Sequence, residues 1–157
     1  MRLAQLLGPG SIETLTKDPA AFRAAVEEFH AEDVAELVAA LPDETAAAVL
    51  RALDADVAAQ VMERLEPARQ RDVLAALGTE GSSAVLSEMA PDDRVDAVQS
   101  LPEKTAEEVI SSLERRDPGT AEDFQALSAY APETAGGRMT TDVVGLAPNL
   151  KVWEAID

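Results

Sequence analysis

Carboxylates are the only chemically useful side chains that this sequence holds in excess. Its 157 residues carry 30 Asp and Glu against 13 Lys and Arg, with one histidine and no cysteine, for a formal charge of −17. A Ser-His-Asp or metal-histidine centre would have to use His30, whose place in the chain reads more simply as a turn or a helix N-cap. Without cysteine there are no disulfides, thiolate zinc sites or cysteine nucleophiles. Glycine-rich loops of the P-loop or dinucleotide type are missing, and Gly136-Gly137 reads as a flexible joint. The chain therefore does not read as an enzyme. Within the acidic excess, Asp92, Asp93 and Asp96 after Pro91 stand out. Asp92 and Asp96 are four apart, on one face of a helix, where like charges repel by a few tenths of a kcal/mol. A divalent cation would relieve the repulsion, and Mg2+ takes one or two protein carboxylates while keeping several waters. The same residues, at a first helical turn, also favour the helix dipole with no ligand at all. Glu32, Asp33 and Glu36, and Asp43 with Glu44, repeat that early-helix pattern, so both readings stay open on the residues alone.

The net charge limits the partners. Nucleic acid is excluded because affinity there comes from Lys and Arg at phosphates, and an anionic membrane surface is disfavoured for the same reason. Divalent cations or a basic protein surface suit such a field. Solubility alone is the plainer explanation. No run of about 18 apolar residues is present to span a bilayer. The N-terminal Met1–Leu7 stretch is stopped by Gly8-Pro9-Gly10, too early for a signal peptide.

The acidic residues must be positioned by a repeat. Stepping back from Leu113 by twelves gives Leu101, Met89, Leu77, Leu65, Leu53, Leu41 and Phe29. Three residues before these stand Ile110, Val98, Leu86, Leu74, Met62, Leu50, Val38 and Val26, and four before stand Val109, Ala97, Val85, Val73, Val61, Val49, Leu37 and Ala25. All are apolar in a chain that is 46% apolar. With the closing Leu numbered place 12, places 8, 9 and 12, and often 5 (Phe22, Val34, Ala46, Ala58, Ala106), trace one helix face. Twelve residues at about 100° each leave that stripe turned by about 120° at the next unit, so one continuous helix would wind it round all sides. The breakers favour separate helices. Pro42, Pro102 and Gly78 stand at place 1, and Pro19, Pro67 and Pro91 at place 2, where a first helical turn accepts proline. The pattern predicts an all-α superhelical solenoid of about ten short helices, eight of them repeat units of about ten residues joined by tight turns.

Residues 1–17 lie outside the repeat, with Ser11 placed to cap a short helix carrying Ile12 and Leu15. The unit from Gly78 to Met89, with Gly81, Ser82 and Ser83, is expected to fray or to approach a neighbour closely. Past Leu113 the register fails. Asp117-Pro118-Gly119 makes a turn, and Thr120 with Asp123 reads as a capping box opening a last helix, Thr120–Tyr130, with Phe124 and Leu127 on one face. After Ala131-Pro132 the composition changes: Val143, Val144 and Leu146 suggest a strand, and Val152, Trp153 and Ile156 begin an amphipathic helix. The expected division is a solenoid over 1–130, a linker over 131–138, and the β-α start of a second domain over 139–157, cut inside it.

These features together resemble the cytoplasmic part of the MgtE family of magnesium transporters or magnesium-gated channels. The short repeated helices are similar to the family's N domain, and Tyr130-Ala131-Pro132-Glu133-Thr134-Ala135-Gly136-Gly137-Arg138-Met139-Thr140 is similar to the junction into its first CBS (cystathionine β-synthase-type) module. Asp142-Val143-Val144 and Val152-Trp153-Glu154-Ala155-Ile156 match a CBS strand and helix. The resemblance implies a regulatory Mg2+-sensing domain at the cytoplasmic face of the membrane, in a homodimeric parent protein. Its acidic surface would pack on CBS domains of the same chain when Mg2+ is plentiful, and so close the pore. It implies metal ligation by Asp92 and Asp96 and by the backbone carbonyl of Gly137. Gln60 stands where a family member can carry an acidic ligand, which puts one ion in doubt. With only one side of each site present, binding on the order of millimolar or weaker is expected. The other reading is a soluble protein-interaction scaffold of the flagellar-motor-like or CBS-linked kind with no part in transport, since fold alone does not decide function.

Overall fold

A two-residue joint explains the twelve-residue period. In the computed structural model, which describes residues 17–26, 29–131 and 134–141, the helices are α1 (Pro19–Val26), α2 (Ala31–Ala40), α3 (Asp43–Ala52), α4 (Ala55–Glu63), α5 (Pro67–Glu88), α6 (Pro91–Gln99), α7 (Glu103–Arg116) and α8 (Pro118–Ser128), followed by a 3-10 turn at Gly136–Arg138. Helices α1 to α7 all begin at place 2. The place-1 residue before them is extended, with φ/ψ of −72°/156° at His30, −69°/149° at Asp54 and −61°/144° at Glu66. Place 12 is extended as well at Leu41 (−88°/156°), Leu53 (−83°/162°) and Met89 (−72°/152°). One residue of extended backbone on each side of the joint ends one helix and starts the next. Proline fits there because the first helical N–H has no partner within the helix.

Two backbone bonds recur at the joints. The place-12 amide donates to the place-9 carbonyl, as in Phe29 to Val26 (2.9 Å), Leu53 to Leu50 (3.2 Å), Leu65 to Met62 (3.0 Å) and Leu101 to Val98 (3.1 Å). The place-5 amide donates to the place-1 carbonyl, as in Ala46 to Pro42, Ala58 to Asp54 and Arg94 to Ala90, each at 2.9 Å. His30 is the N-cap residue of α2 and makes no side-chain capping bond; its backbone alone serves the turn.

Because the stripe turns by about a third of a circle per unit, helices pack on the one two steps along, α1 on α3, α2 on α4, α3 on α5, α5 on α7 and α6 on α8, while α4 on α5 and α7 on α8 pack as successive neighbours. Their facing stripes form one apolar cluster from Phe22 to Leu127. The repeat positions are buried throughout, except that Phe29, Leu41 and Ile110 are half-buried and Ala25 is exposed. No described helix is long and apolar enough to cross a membrane.

The structure bears on four expectations. Eight helical ranges stand among the described residues, and α5 covers two repeat units. Its two segments, 67–77 and 79–88, meet at Gly78, whose φ of 71° and ψ of 175° break the helix. That positive φ is one a side chain rarely tolerates. The unit after Gly78 does not fray. It buries Ser82 and Ser83, and Ser83 Oγ lies 3.0 Å from Ser112 Oγ of α7; the small residues serve close approach. The last helix starts at Pro118 and not at Thr120, and its N-cap is Asp117. The Asp117 carboxylate accepts from the Thr120 amide (3.1 Å) and hydroxyl (2.8 Å), so Thr120 is the capped residue, not the cap. Those bonds hold the Asp117 carboxyl below its ordinary range. Gly136-Gly137, expected as a flexible joint, belongs to the 3-10 turn. The proposed N-terminal helix, the strand at Val143–Leu146 and the helix at Val152–Ile156 lie outside the described residues.

Candidate cation site

Helix α6 carries Asp92 and Asp93 in its first turn and Asp96 one turn on. Asp92 and Asp93 are half-buried and Asp96 is exposed. Three neighbours fix this helix. Glu63, at the end of α4, accepts the Ala90 amide on Oε1 at 2.8 Å, so a side chain 27 positions away caps the entrance to α6. Ala90 would otherwise donate to the Leu86 carbonyl, four residues back. That carbonyl is met instead by Arg94 Nε at 2.6 Å, while Arg94 Nη2 reaches the Met89 carbonyl at 2.6 Å. Arg94 is buried. Its cation sits against the C-terminal carbonyls of α5, where the helix dipole favours positive charge.

The result is a cluster of carboxylates. The Asp93 carboxyl is pushed above its ordinary value, first by burial and then by the charges of Asp92, Glu63 and Asp96. At neutral pH the first turn of α6 therefore holds more negative charge than it can comfortably carry. A hydrated Mg2+ ion suits such a donor set, because it needs only one or two carboxylates directly. The set is incomplete as a cage, since no group of three or more ligating side chains among the described residues is placed to hold a metal ion.

Several basic residues are engaged at helix ends. Arg23 donates to the Ala52 carbonyl (3.2 Å), Arg51 to Ala76 (2.7 Å), and Arg69 to Val38 (3.0 Å) and Leu41 (2.5 Å). Arg69 also pairs with Asp43. Arg64 pairs with Glu32 at 2.8 Å and holds the Glu32 carboxyl below its ordinary range.

Of the residues singled out from the sequence, Asp92 and Asp96 share a face of α6 with Asp93 between them. Gly137 is half-buried in the turn Gly136–Arg138. That turn packs on α8, which packs on α6, and no hydrogen bond links Gly137 to Asp92 or Asp96 among the described residues. Gln60 is exposed on α4, one turn before Glu63. It lines a groove with Arg23, His30 and Asp54. The residue that sequence reasoning missed is Glu63. It stands at place 10, where the units carry Glu, Ala, Arg, Ser or Gln without pattern, so nothing in the repeat marks it.

A family model described as the MgtE intracellular N domain matches residues 29–133. The chain is 39% identical over 139 residues to the magnesium transporter MgtE of Thermus thermophilus, an alignment that covers 88% of this chain and 31% of that protein. It thus spans about a third of the length of the transporter it matches. Two solved structures share the fold. The soluble part of a magnesium transporter superposes with a TM-score of 0.75 at 22% identity, over 94% of this chain and 58% of the other. The cytosolic domain of the Mg2+ channel MgtE, in complex with ATP, gives 0.68 at 32% identity, over 82% and 52%.

Proposed function

The chain belongs to the family of the MgtE intracellular N domain, and from that premise we propose that it is the regulatory Mg2+-sensing domain of a magnesium transporter or channel at the cytoplasmic face of the membrane. The proposed organisation is a solenoid over 1–130, a linker over 131–138, and from 139 the start of a CBS domain in a homodimeric parent protein. Asp92, Asp96 and the Gly137 carbonyl are the proposed Mg2+ ligands, each completed by groups from the CBS side.

One observation supports this above the rest: carboxylates crowd at the start of α6, where burial and then the charges of Asp92, Glu63 and Asp96 push the Asp93 carboxyl above its ordinary value. A surface that already repels itself will repel a second acidic surface brought against it. Mg2+ between the two removes that cost, so the compact arrangement is populated only when the ion is present. Linkage makes the effect reciprocal, and compaction raises the Mg2+ affinity of Asp92 and Asp96 by the same factor. The residues work by charge and position and transfer no group, so the reading contains no catalytic step.

The test is a Mg2+ titration of the protein extended through its CBS modules, followed by small-angle scattering. The expected result is a Mg2+-dependent fall in radius of gyration that Asp92→Asn/Asp96→Asn moves to higher Mg2+. An identical response in wild type and variant would refute the ligand assignment. A second reading, an interaction scaffold without a transport role, has the incomplete donor set among the described residues in its favour. It predicts no response to Mg2+ in either protein.

A further inference from the structure

The chain leaves the solenoid through a built turn. Past the end of α8 the Tyr130 amide donates to the Leu127 carbonyl at 3.1 Å. The Thr134 amide and hydroxyl both return to the Ala131 carbonyl, at 3.0 and 2.7 Å. The Gly137 amide then donates to Thr134 Oγ1 at 3.2 Å and the Arg138 amide to the Ala135 carbonyl at 3.3 Å. Gly136 sits in the middle of this. A Cβ placed on it would lie 2.4, 2.6 and 2.9 Å from Cδ1, Cγ and Cε1 of Tyr130, well inside any real contact. Gly136 is not glycine for the sake of its backbone angles, because the positive-φ glycine of the described chain is Gly78. It is glycine because the Tyr130 ring lies across its α-carbon. The ring gains little from burial, being 47% exposed, so its placement is not explained by the core.

We propose that Tyr130 is a latch on Gly136, and that Tyr130 and Thr134 are positioning residues which aim the Gly137 carbonyl and the chain beyond it. The peptide joining Gly137 to Arg138 is planar. Its N–H is committed to Ala135, so its C=O must point the opposite way. Whatever holds this turn in register therefore fixes the direction of the carbonyl. The proposal rests on the reading of Gly137 as a cation-binding carbonyl, and it adds what orients it.

The latch itself is tested by NMR on the 157-residue chain. A ring lying over Gly136 shifts the Gly136 Hα protons upfield. That shift should survive Tyr130→Phe and vanish in Tyr130→Leu. Gly136→Ala should expel the ring and speed hydrogen exchange at the Gly137 amide by roughly tenfold. In a Tyr130→Ala background the same change should add almost nothing, because the atoms it would strike are gone. An unshifted Gly136, or an equal effect of Gly136→Ala in both backgrounds, overturns the latch. The positioning role is tested by the Mg2+ titration of the extended protein. Gly136→Ala should move the compaction midpoint several-fold upward while Tyr130→Phe leaves it in place. If Asp92→Asn/Asp96→Asn moves the midpoint and Gly136→Ala does not, the positioning role is wrong and the cation reading stands. If neither moves it, the cation reading falls and takes the positioning role with it.

Discussion

Place 5 of the repeat divides the solenoid in two. In the first four units it is Phe22, Val34, Ala46 and Ala58, all buried and all apolar. In the next three it is Gln70, Ser82 and Arg94, buried just as deeply but polar. Each of the three donates to the carbonyl eight residues back, at place 9 of the preceding unit: Gln70 to Met62 at 2.9 Å, Ser82 to Leu74 at 2.8 Å and Arg94 to Leu86 at 2.6 Å. In these three units the backbone presents the same acceptor to place 5, and the polar residue there is satisfied. The first half fills that space with hydrocarbon and is held by packing. The second half spends it on hydrogen bonds that tie each helix to the end of the one before. The candidate cation site lies on α6, which is tied by the buried charge of Arg94 inside and by Glu63 at its entrance. Electrostatic repulsion between carboxylates can persist at a surface only if the helix beneath cannot move to relieve it.

The sharpest way to break this comparison is Arg94→Leu. The variant keeps the apolar stem but loses two charge-assisted bonds and strands the Leu86 and Met89 carbonyls. The expected cost is about 3 kcal/mol, read as a lower urea midpoint at unchanged m. A loss below about 1 kcal/mol would mean that the second half is held by packing, like the first. Ser82→Ala is milder and should cost about 1 kcal/mol. Its counterpart is Ala58→Ser, which puts a hydroxyl where the Leu50 carbonyl should receive it. If the acceptor is common to the whole repeat, this second change costs well under 1 kcal/mol. A larger penalty would show that the geometry is peculiar to the second half.

The sequence shows the period, the helix face and the joints because burial and proline placement are local consequences of spacing. It shows Asp92 and Asp96 for the same reason: four residues along a helix is a fixed geometry. It does not show that the break at Gly78 is made by a left-handed glycine and not by the extended residues of the other joints, since a single positive φ leaves no trace in the apolar pattern. Nor does it show Asp117 as the last N-cap, because Asp117 and Thr120 are both good capping residues and only the bond between them assigns the roles. The Glu63 cap is invisible because it joins residues 27 apart through folding. Gln70, Ser82 and Arg94 look like lapses in the stripe until the carbonyls they meet are known.

The smallest expected effect bears on whether the charge at α6 is in fact uncompensated. The Asp93 carboxyl is raised above its reference value of 3.8, so in the window just above that value the folded chain holds more protons than the unfolded one. Stability must then fall as pH rises through the window. Asp93→Asn should therefore stabilise the protein at pH 7, by no more than a few tenths of a kcal/mol because the group is only half-buried and solvent screens its neighbours. The advantage should disappear below the reference value, where wild-type Asp93 is protonated in both states. Arg94→Leu tests what lies under the helix and this change tests what lies on it, so the two should differ in sign as well as size. If Asp93→Asn destabilises at pH 7, the helix dipole outweighs the repulsion, and the first turn of α6 carries ordinary capping carboxylates and no stored charge for a cation to relieve.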